Sequence, residues 1–165
     1  MSDAPERKRT RLKNYDYSAP GSYFVTVCTR DKSHLLGRIV GNGACDIPHI
    51  ALSGYGKVLD GKIAFMAHRY PHISVDKYVI MPNHFHLLIT IKEFSGALET
   101  AAPYNNELSK FISLLKRYCN REYGKNIWQS SFNDHIVRGD EDYLAIWRYI
   151  DENIQKWNFT KGGSL

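Results

Sequence analysis

Two short apolar runs separated by a proline constrain the fold of this chain more than any other feature. Residues 78–80 and 87–91 are rich in β-branched side chains, and Pro82 lies between them. Such runs indicate buried strands, and a proline between them indicates a turn. The sequence therefore predicts two neighbouring strands, near residues 73–80 and 84–91.

Two histidines separated by one residue stand at the start of the second strand. Successive side chains of a strand point to opposite faces, so His84 and His86 share one face while Phe85 points to the other. Two imidazoles side by side form half of a metal site. The alternative is a pair of ordinary strand histidines, satisfied by backbone groups. The pattern alone leaves both interpretations open.

The composition is that of one globular domain. The chain has 165 residues, of which 43% are hydrophobic and 24% are charged, enough for a single core. No apolar run reaches about 18 residues, and the first residues lack the apolar core of a signal peptide, so we expect no membrane span and a cytoplasmic protein. Three cysteines (Cys28, Cys45 and Cys119) lack metal-site spacing, which indicates free thiols in a reducing compartment.

The charge distribution is compatible with a polyanionic partner. The formal net charge is +5, and basic residues crowd the beginning of the chain. These residues are Arg7, Lys8, Arg9, Arg11 and Lys13. We expect residues 1–20 to form a flexible basic arm, which is either a solubilising tail or a segment that lies along DNA phosphates. Residues 159–165 are predicted to fray.

The rest of the chain alternates strands and helices. Apolar periodicity predicts a strand at 23–30, a small hairpin at 35–52, a helix at 53–69, the strand pair, a helix at 106–123, a short strand at 133–138 and a helix at 141–157. This order predicts an α+β fold, in which an antiparallel sheet and helices form a two-layer sandwich of ferredoxin-like or RNA-recognition-like topology. The domain should span residues 21–158.

The helix predicted at residues 106–123 has a basic edge. Lys110, Arg117 and Arg121 fall within about 40° of one another at 100° per residue, opposite the apolar face. This edge is either a solvated helix surface or a cationic ridge for a DNA strand.

The last predicted helix carries polar groups along the margin of its apolar face. Tyr149 projects about 110° from the centre of that face, and Asn153 follows one turn later. Tyr143 and Trp157 project into the apolar face itself. A tyrosine at such a margin is commonly a packing residue. The alternative is a functional edge that presents a hydroxyl nucleophile and an oxygen ligand.

Placed beside the histidines, this edge would complete a reactive site. A divalent ion held by His84, His86 and Asn153 can polarise a phosphodiester. Tyr149 can then attack phosphorus and form a covalent intermediate, provided that nearby positive charge favours its phenoxide form. A phosphotyrosine bond can be reversed by a 3′ hydroxyl, which suits strand transfer better than hydrolysis.

These residues resemble the motifs of a known transposase family. Met81-Pro82-Asn83-His84-Phe85-His86 is similar to the HUH motif (His, bulky hydrophobic, His) of the single-tyrosine transposases. Trp128-Gln129, Asp134-His135-Ile136, Glu141-Asp142-Tyr143 and Tyr149-Ile150 through Asn153 resemble the REP-associated tyrosine transposases, a branch thought to act at repetitive extragenic palindromes. The similarity covers about residues 23–157.

The resemblance implies a transposase that nicks and rejoins single-stranded DNA near REP-like hairpins through a 5′-phosphotyrosine intermediate. It implies an RNA-recognition-like fold, a Mg²⁺ or Mn²⁺ cofactor, and a monomer or a homodimer. By position, it implies that His84, His86 and Asn153 are metal ligands and that Tyr149 is the nucleophile. The DNA would be held by the basic arm together with Lys110, Arg117 and Arg121.

Two other functions fit parts of the pattern. A catalytically inactive, domesticated hairpin-binding protein would keep the fold and the basic surfaces. A phosphoesterase for small cyclic substrates would usually carry two separated His-x-Thr or His-x-Ser motifs, whereas this sequence has one His-x-His. An RNA-recognition module is disfavoured because its glycine and aromatic strand signature is absent from the sequence.

Overall fold

The computed structural model describes residues 15, 17, 19–41, 46–93 and 106–159 of the chain. The basic residues of the predicted arm, Arg7, Lys8, Arg9, Arg11 and Lys13, lie outside the described residues, as do residues 160–165. Tyr17, within the range predicted to be a flexible arm, is instead buried in the main core. Phe159, predicted to belong to the frayed end, is instead the last residue of the final helix.

Within the described residues, six strands and three helices follow one another in the predicted order. They are β1 (Gly21–Cys28), β2 (Gly37–Val40), β3 (His49–Leu52), α1 (Gly54–Arg69), β4 (Ile73–Ile80), β5 (His84–Ile91), α2 (Glu107–Tyr123), β6 (Asn133–Ile136) and α3 (Gly139–Phe159). A short 3-10 helix at Arg30–Lys32, which was not predicted from the sequence, follows β1.

Four of the strands form one antiparallel sheet in the order β4-β5-β1-β6. Strands β2 and β3 pair separately as a hairpin. With this hairpin set aside, the four sheet strands are arranged as in the ferredoxin-like topology. The predicted α+β fold is confirmed.

The two faces of the sheet are covered differently. Helices α1 and α2 pack on one face, where Val25, Phe85 and Leu87 contribute to the main core. Helix α3 packs on the opposite face, where its Ile146 and Ile150 form a smaller cluster with Leu88 of β5. The sheet, α1 and α2 thus form the two predicted layers, and α3 is added on the face to which His84 and His86 belong.

Local signals fix the ends of the first two helices. Ser53 caps α1 by accepting a hydrogen bond from the Gly56 amide, and Asn106 caps α2 by accepting one from the Ser109 amide. Gly124 ends α2 with a left-handed φ of 67°. Gly56 also lets α1 lie close to the backbone at Leu36, because a Cβ there would lie 2.0 Å from the Leu36 carbonyl oxygen.

An irregularity in β4 attaches α3 to the sheet. The register between β4 and β5 shifts between Val75 and Lys77, so the consecutive residues Asp76 and Lys77 both contact α3. Asp76 accepts a hydrogen bond from the Tyr143 hydroxyl at 3.0 Å. Lys77 forms an ion pair with Asp151 at 2.7 Å. These contacts hold α3 over the histidine-bearing face.

No helix in the described ranges combines the length and the apolar character needed to cross a bilayer.

Candidate active site

The two histidines of β5 lie together beneath α3. Their Nε2 atoms are 3.1 Å apart, and each side chain is only 3% exposed. Two ligand atoms that bind one ion at about 2.1 Å, at right angles to each other, are about 3 Å apart. The separation of the two nitrogens therefore fits a single metal ion.

The other nitrogen of each imidazole is held by a neighbouring side chain. His86 Nδ1 lies 2.8 Å from Thr26 Oγ1, and His84 Nδ1 lies 2.7 Å from Asn83 Oδ1. Asn83 donates its amide N–H to the Lys32 carbonyl oxygen, which orients its own oxygen towards His84. Because this oxygen can only accept, His84 donates from Nδ1 and keeps a lone pair on Nε2. Such partners orient the imidazoles of metal sites.

Burial keeps both imidazoles uncharged at neutral pH. Burial, aided by the positive charge of Lys32, lowers the pKa of His84 from 6.5 to about 4. Burial, aided by charge on His84, lowers the pKa of His86 to about 3. The neutral imidazole is the form that binds a metal ion, so neither ring has to lose a positive charge before it binds one at pH 7.

Two aromatic residues of α3, two turns apart, lie against the histidine pair. The Tyr149 ring is 5.4 Å from the His86 ring, and the Trp157 ring is 5.6 Å from the His84 ring, measured between centroids. Asn153 lies one turn from each and is buried at 7% exposure. The helix predicted to carry the reactive edge is therefore the one that covers the histidines.

Tyr149 and Tyr143 have different surroundings in the fold. Tyr149 is 36% exposed, with Phe24 edge-on at 5.8 Å and the Lys156 ammonium 5.5 Å from its ring centroid. Tyr143 packs against the smaller core cluster and donates its hydroxyl to Asp76. Burial and this hydrogen bond raise the pKa of Tyr143. Tyr149 is thus the tyrosine of α3 that meets the histidines.

Any third protein ligand of a metal ion at the histidine pair would be of another type. Within the described residues, no group of three or more His, Cys, Asp or Glu side chains could hold a metal ion. The amide oxygen of Asn153 remains the predicted third ligand.

The predicted basic edge of α2 lies away from the histidines. Lys110, Arg117 and Arg121 are exposed on α2, whose apolar side packs against the opposite face of the sheet from α3. Lys110 pairs with Glu107 at 3.0 Å. Their role in DNA binding stays a prediction, as does that of the basic arm.

Four residues that surround the histidine pair were not predicted from the sequence. Besides Thr26 and Asn83, Phe24 stacks on His86 with ring centroids 5.1 Å apart. Trp157, predicted to face the core, instead lies beside the site. The alternation of side chains along β1 predicts the face on which Thr26 lies. Its position opposite His86 depends on the pairing of β1 with β5.

Comparisons with known proteins point in one direction, although no family model matches the chain. A Haemophilus influenzae protein described only as uncharacterized is 28% identical over 167 residues, covering 92% of this chain and 89% of that protein. A second protein of the same organism, described as "Putative REP-associated tyrosine transposase", is 26% identical over 162 residues, covering 91% and 80% of the two chains.

The fold is shared with a solved REP-associated tyrosine transposase bound to a REP hairpin. The TM-score is 0.63 at 23% identity, and the match covers 92% of this chain and 76% of that chain. Sequence and fold comparisons therefore agree with the resemblance seen in the motifs. By sequence the chain is similar to the relative described as a "Putative REP-associated tyrosine transposase", and it shares the fold of the solved protein bound to a REP hairpin.

Proposed function

We propose that this protein is a metal-dependent transposase that nicks and rejoins single-stranded DNA next to REP-like hairpins. The observation that carries the proposal is the contact of Tyr149 with His86, whose Nε2 lies 3.1 Å from that of His84. A nucleophile and a metal half-site are thereby joined in one cluster. The relative described as a transposase and the solved complex with a REP hairpin support the class of DNA partner.

Tyr149 is the proposed nucleophile. Its phenol oxygen bonds to the phosphorus of a DNA phosphodiester, and the bond from phosphorus to the 3′ oxygen breaks. The leaving 3′ oxygen takes up a proton, while the phenol proton passes to solvent. The products are a 5′-phosphotyrosine and a free 3′ hydroxyl, and attack by a 3′ hydroxyl reverses the step. The 36% exposure of Tyr149 gives a DNA strand access to it.

His84, His86 and Asn153 are the proposed ligands of a Mg²⁺ or Mn²⁺ ion. When bound, such an ion supplies a positive charge that stabilises the charge developing on the phosphate oxygens. The chain prepares its own ligands, because Thr26 and Asn83 hold both rings and burial keeps them unprotonated.

We propose that basic residues outside the cluster bind the hairpin. The basic arm at residues 7–13 would neutralise phosphates wherever it reaches the duplex. Lys110, Arg117 and Arg121 lie on α2, across the sheet from Tyr149. DNA that touches both α2 and Tyr149 must therefore pass around an end of the sheet.

Covalent adduct formation tests the proposal directly. Purified protein, Mn²⁺ and a labelled single-stranded DNA that contains a hairpin are mixed, denatured and separated on a gel. We expect an adduct with the wild-type chain, none with Tyr149→Phe, and an adduct with the matched variant Tyr143→Phe. An adduct that persists in Tyr149→Phe would overturn the assignment of the nucleophile.

The same experiment separates catalysis from simple hairpin binding. An inactive hairpin-binding protein would form no adduct with any metal, and its DNA affinity would not change on chelation. Hairpin affinity is therefore measured by fluorescence anisotropy with EDTA and with Mn²⁺, beside the adduct assay. We expect EDTA to abolish the adduct and Mn²⁺ to restore it. Binding without any adduct would leave the inactive binder as the function.

A further inference from the structure

A polar groove lies between the second half of α2 and the segment that leads to β6. Ser113, Arg117 and Asn120 line its helical wall, while Asn126 and Gln129 line the opposite wall. Its volume is about 490 Å³. The lining offers hydroxyls, amides and a guanidinium, which are groups that hydrogen-bond to phosphates and to base edges.

Hydrogen bonds across the groove make it a built part of the fold. Lys116 donates to the carbonyl oxygens of Gln129 at 2.9 Å and Ser131 at 3.2 Å, which ties the segment to the helix. The amide of Asn120 donates to Asn126 Oδ1 at 3.2 Å. The two walls are therefore held at a defined spacing.

Two residues of the lining contain buried polar atoms that lack a hydrogen-bond partner in the described part of the chain. They are the acceptor Asn120 Oδ1 and the donor Trp128 Nε1, and Trp128 is only 1% exposed. Unpaired buried polar groups destabilise a fold and are rare, so each requires an explanation such as a bound group.

The groove lies at the end of the sheet where the histidines stand. The Gln129 amide donates to the Cys28 carbonyl oxygen at 3.0 Å, and Cys28 is paired with His84 in the sheet. Two strand spacings, about 10 Å, thus separate the backbone of Gln129 from that of His84. Burial raises the pKa of the Cys28 thiol, and the positive charges of Lys32 and Lys116 oppose this rise. Lys32 and Lys116 thus both lie close enough to Cys28 to act on its charge.

We propose that the groove binds an unpaired nucleotide of the single-stranded DNA that continues to the histidine and tyrosine cluster. Arg117 contacts a phosphate, and the amides of Asn120 and Asn126 contact the edge of the base. The inference rests on the proposed function for the class of partner. The inference gives Arg117 a different role from Lys110 and Arg121. Arg117 lines the groove, whereas Lys110 and Arg121 lie on the same helix outside it.

Paired charge removal tests this site. Binding of a short labelled single-stranded DNA of mixed sequence is measured by fluorescence anisotropy, with the full chain and EDTA. We expect Arg117→Gln to weaken binding about tenfold and the matched variant Arg69→Gln to weaken it less than about twofold. Both variants remove one exposed arginine charge from a helix, and Arg69 lies on α1, outside the groove. Equal weakening by the two variants would overturn the proposal, because it would indicate general attraction to phosphates.

Photocrosslinking locates the nucleotide independently. Single-stranded DNA that contains 5-iodouracil is irradiated with the protein, and the linked peptides are identified by mass spectrometry. We expect links within residues 113–132, and links found only elsewhere would contradict the groove. Tighter binding of RNA of the same sequence, with the same dependence on Arg117, would contradict the assignment to DNA.

The result can be told apart from a failure of the proposed function. An adduct on Tyr149 without a specific effect of Arg117→Gln would eliminate the groove alone. A specific effect of Arg117→Gln without any adduct would eliminate catalysis alone and leave a binding protein with this site.

Discussion

The imidazoles of His84 and His86 turn their Nε2 atoms towards each other at 3.1 Å, beneath a helix that carries Tyr149. Thr26 and Asn83 hold the far nitrogen of each ring. The two rings are therefore held in place by the strand, its neighbour and a turn. This preorganisation has consequences for stability as well as for metal binding.

The buried pair should make the fold sensitive to acid. In the unfolded chain each histidine titrates near 6.5, whereas in the fold the pKa of His84 is about 4 and that of His86 is about 3. Below pH 6.5 the unfolded chain therefore binds more protons than the fold, and stability falls as pH falls towards 3. At pH 5 the loss is on the order of 2 kcal/mol for each histidine.

Urea unfolding at pH 7 and pH 5 checks this dependence. The variant His86→Gln should lose less stability between the two pH values than the wild-type chain loses. Equal losses in the two proteins would show that other groups dominate the acid response.

The hydroxyl of Thr26 should tune the affinity of the pair for metal. Thr26→Val removes the partner of His86 Nδ1 while keeping the shape of the side chain, and Thr26→Ser keeps the hydroxyl. Loss of such a partner typically costs about 10–100-fold in metal affinity. We expect weaker Mn²⁺ binding by calorimetry for the valine variant, in the absence of DNA, and near-normal binding for the serine variant. Identical affinities for valine and wild type would refute the role of Thr26.

The carboxylate of Asp76 should position α3. Asp76→Ala leaves the Tyr143 hydroxyl without its acceptor, which we expect to cost about 1–3 kcal/mol of stability and to slow adduct formation. The matched variant is Asp60→Ala, which removes the acceptor of the Tyr78 hydroxyl near α1. That variant should leave the adduct rate close to wild type. Equal slowing in both would mean that stability alone limits the rate.

The basic arm should contribute mainly salt-dependent affinity. Replacing Arg7, Lys8, Arg9, Arg11 and Lys13 by glutamine should weaken hairpin binding at low salt. The plot of log affinity against log salt should become shallower by roughly 0.9 for each duplex phosphate that the arm no longer neutralises. Anisotropy titrations at several salt concentrations measure this slope. An unchanged slope would favour the solubilising tail.

Short-range periodicity accounts for what could be predicted from the sequence. Strand alternation placed His84 and His86 on one face, and a helical projection placed Tyr149 at the margin of α3. Both predictions depend on residues close together in the chain, where geometry is fixed by the element itself. The fold class followed from the order of the elements.

Long-range pairing accounts for what could not be predicted. Thr26 reaches His86 only because β1 and β5 pair in one register, and residues 60 apart carry no local sign of that pairing. The helical projection gave α2 a basic edge, but it could not say which face of the sheet α2 covers. The same projection places Trp157 on the apolar face of α3. It could not show that this ring lies beside His84, because His84 belongs to another element.

The register shift in β4 makes the number of residues in that strand as important as their identity. Asp76 and Lys77 both reach α3 because the chain contains one extra residue there. A deletion at this point would restore regular alternation, and one side chain would then face α3 where two do now. One of the two polar contacts that hold α3 over the histidines would be lost, even if every motif residue were retained.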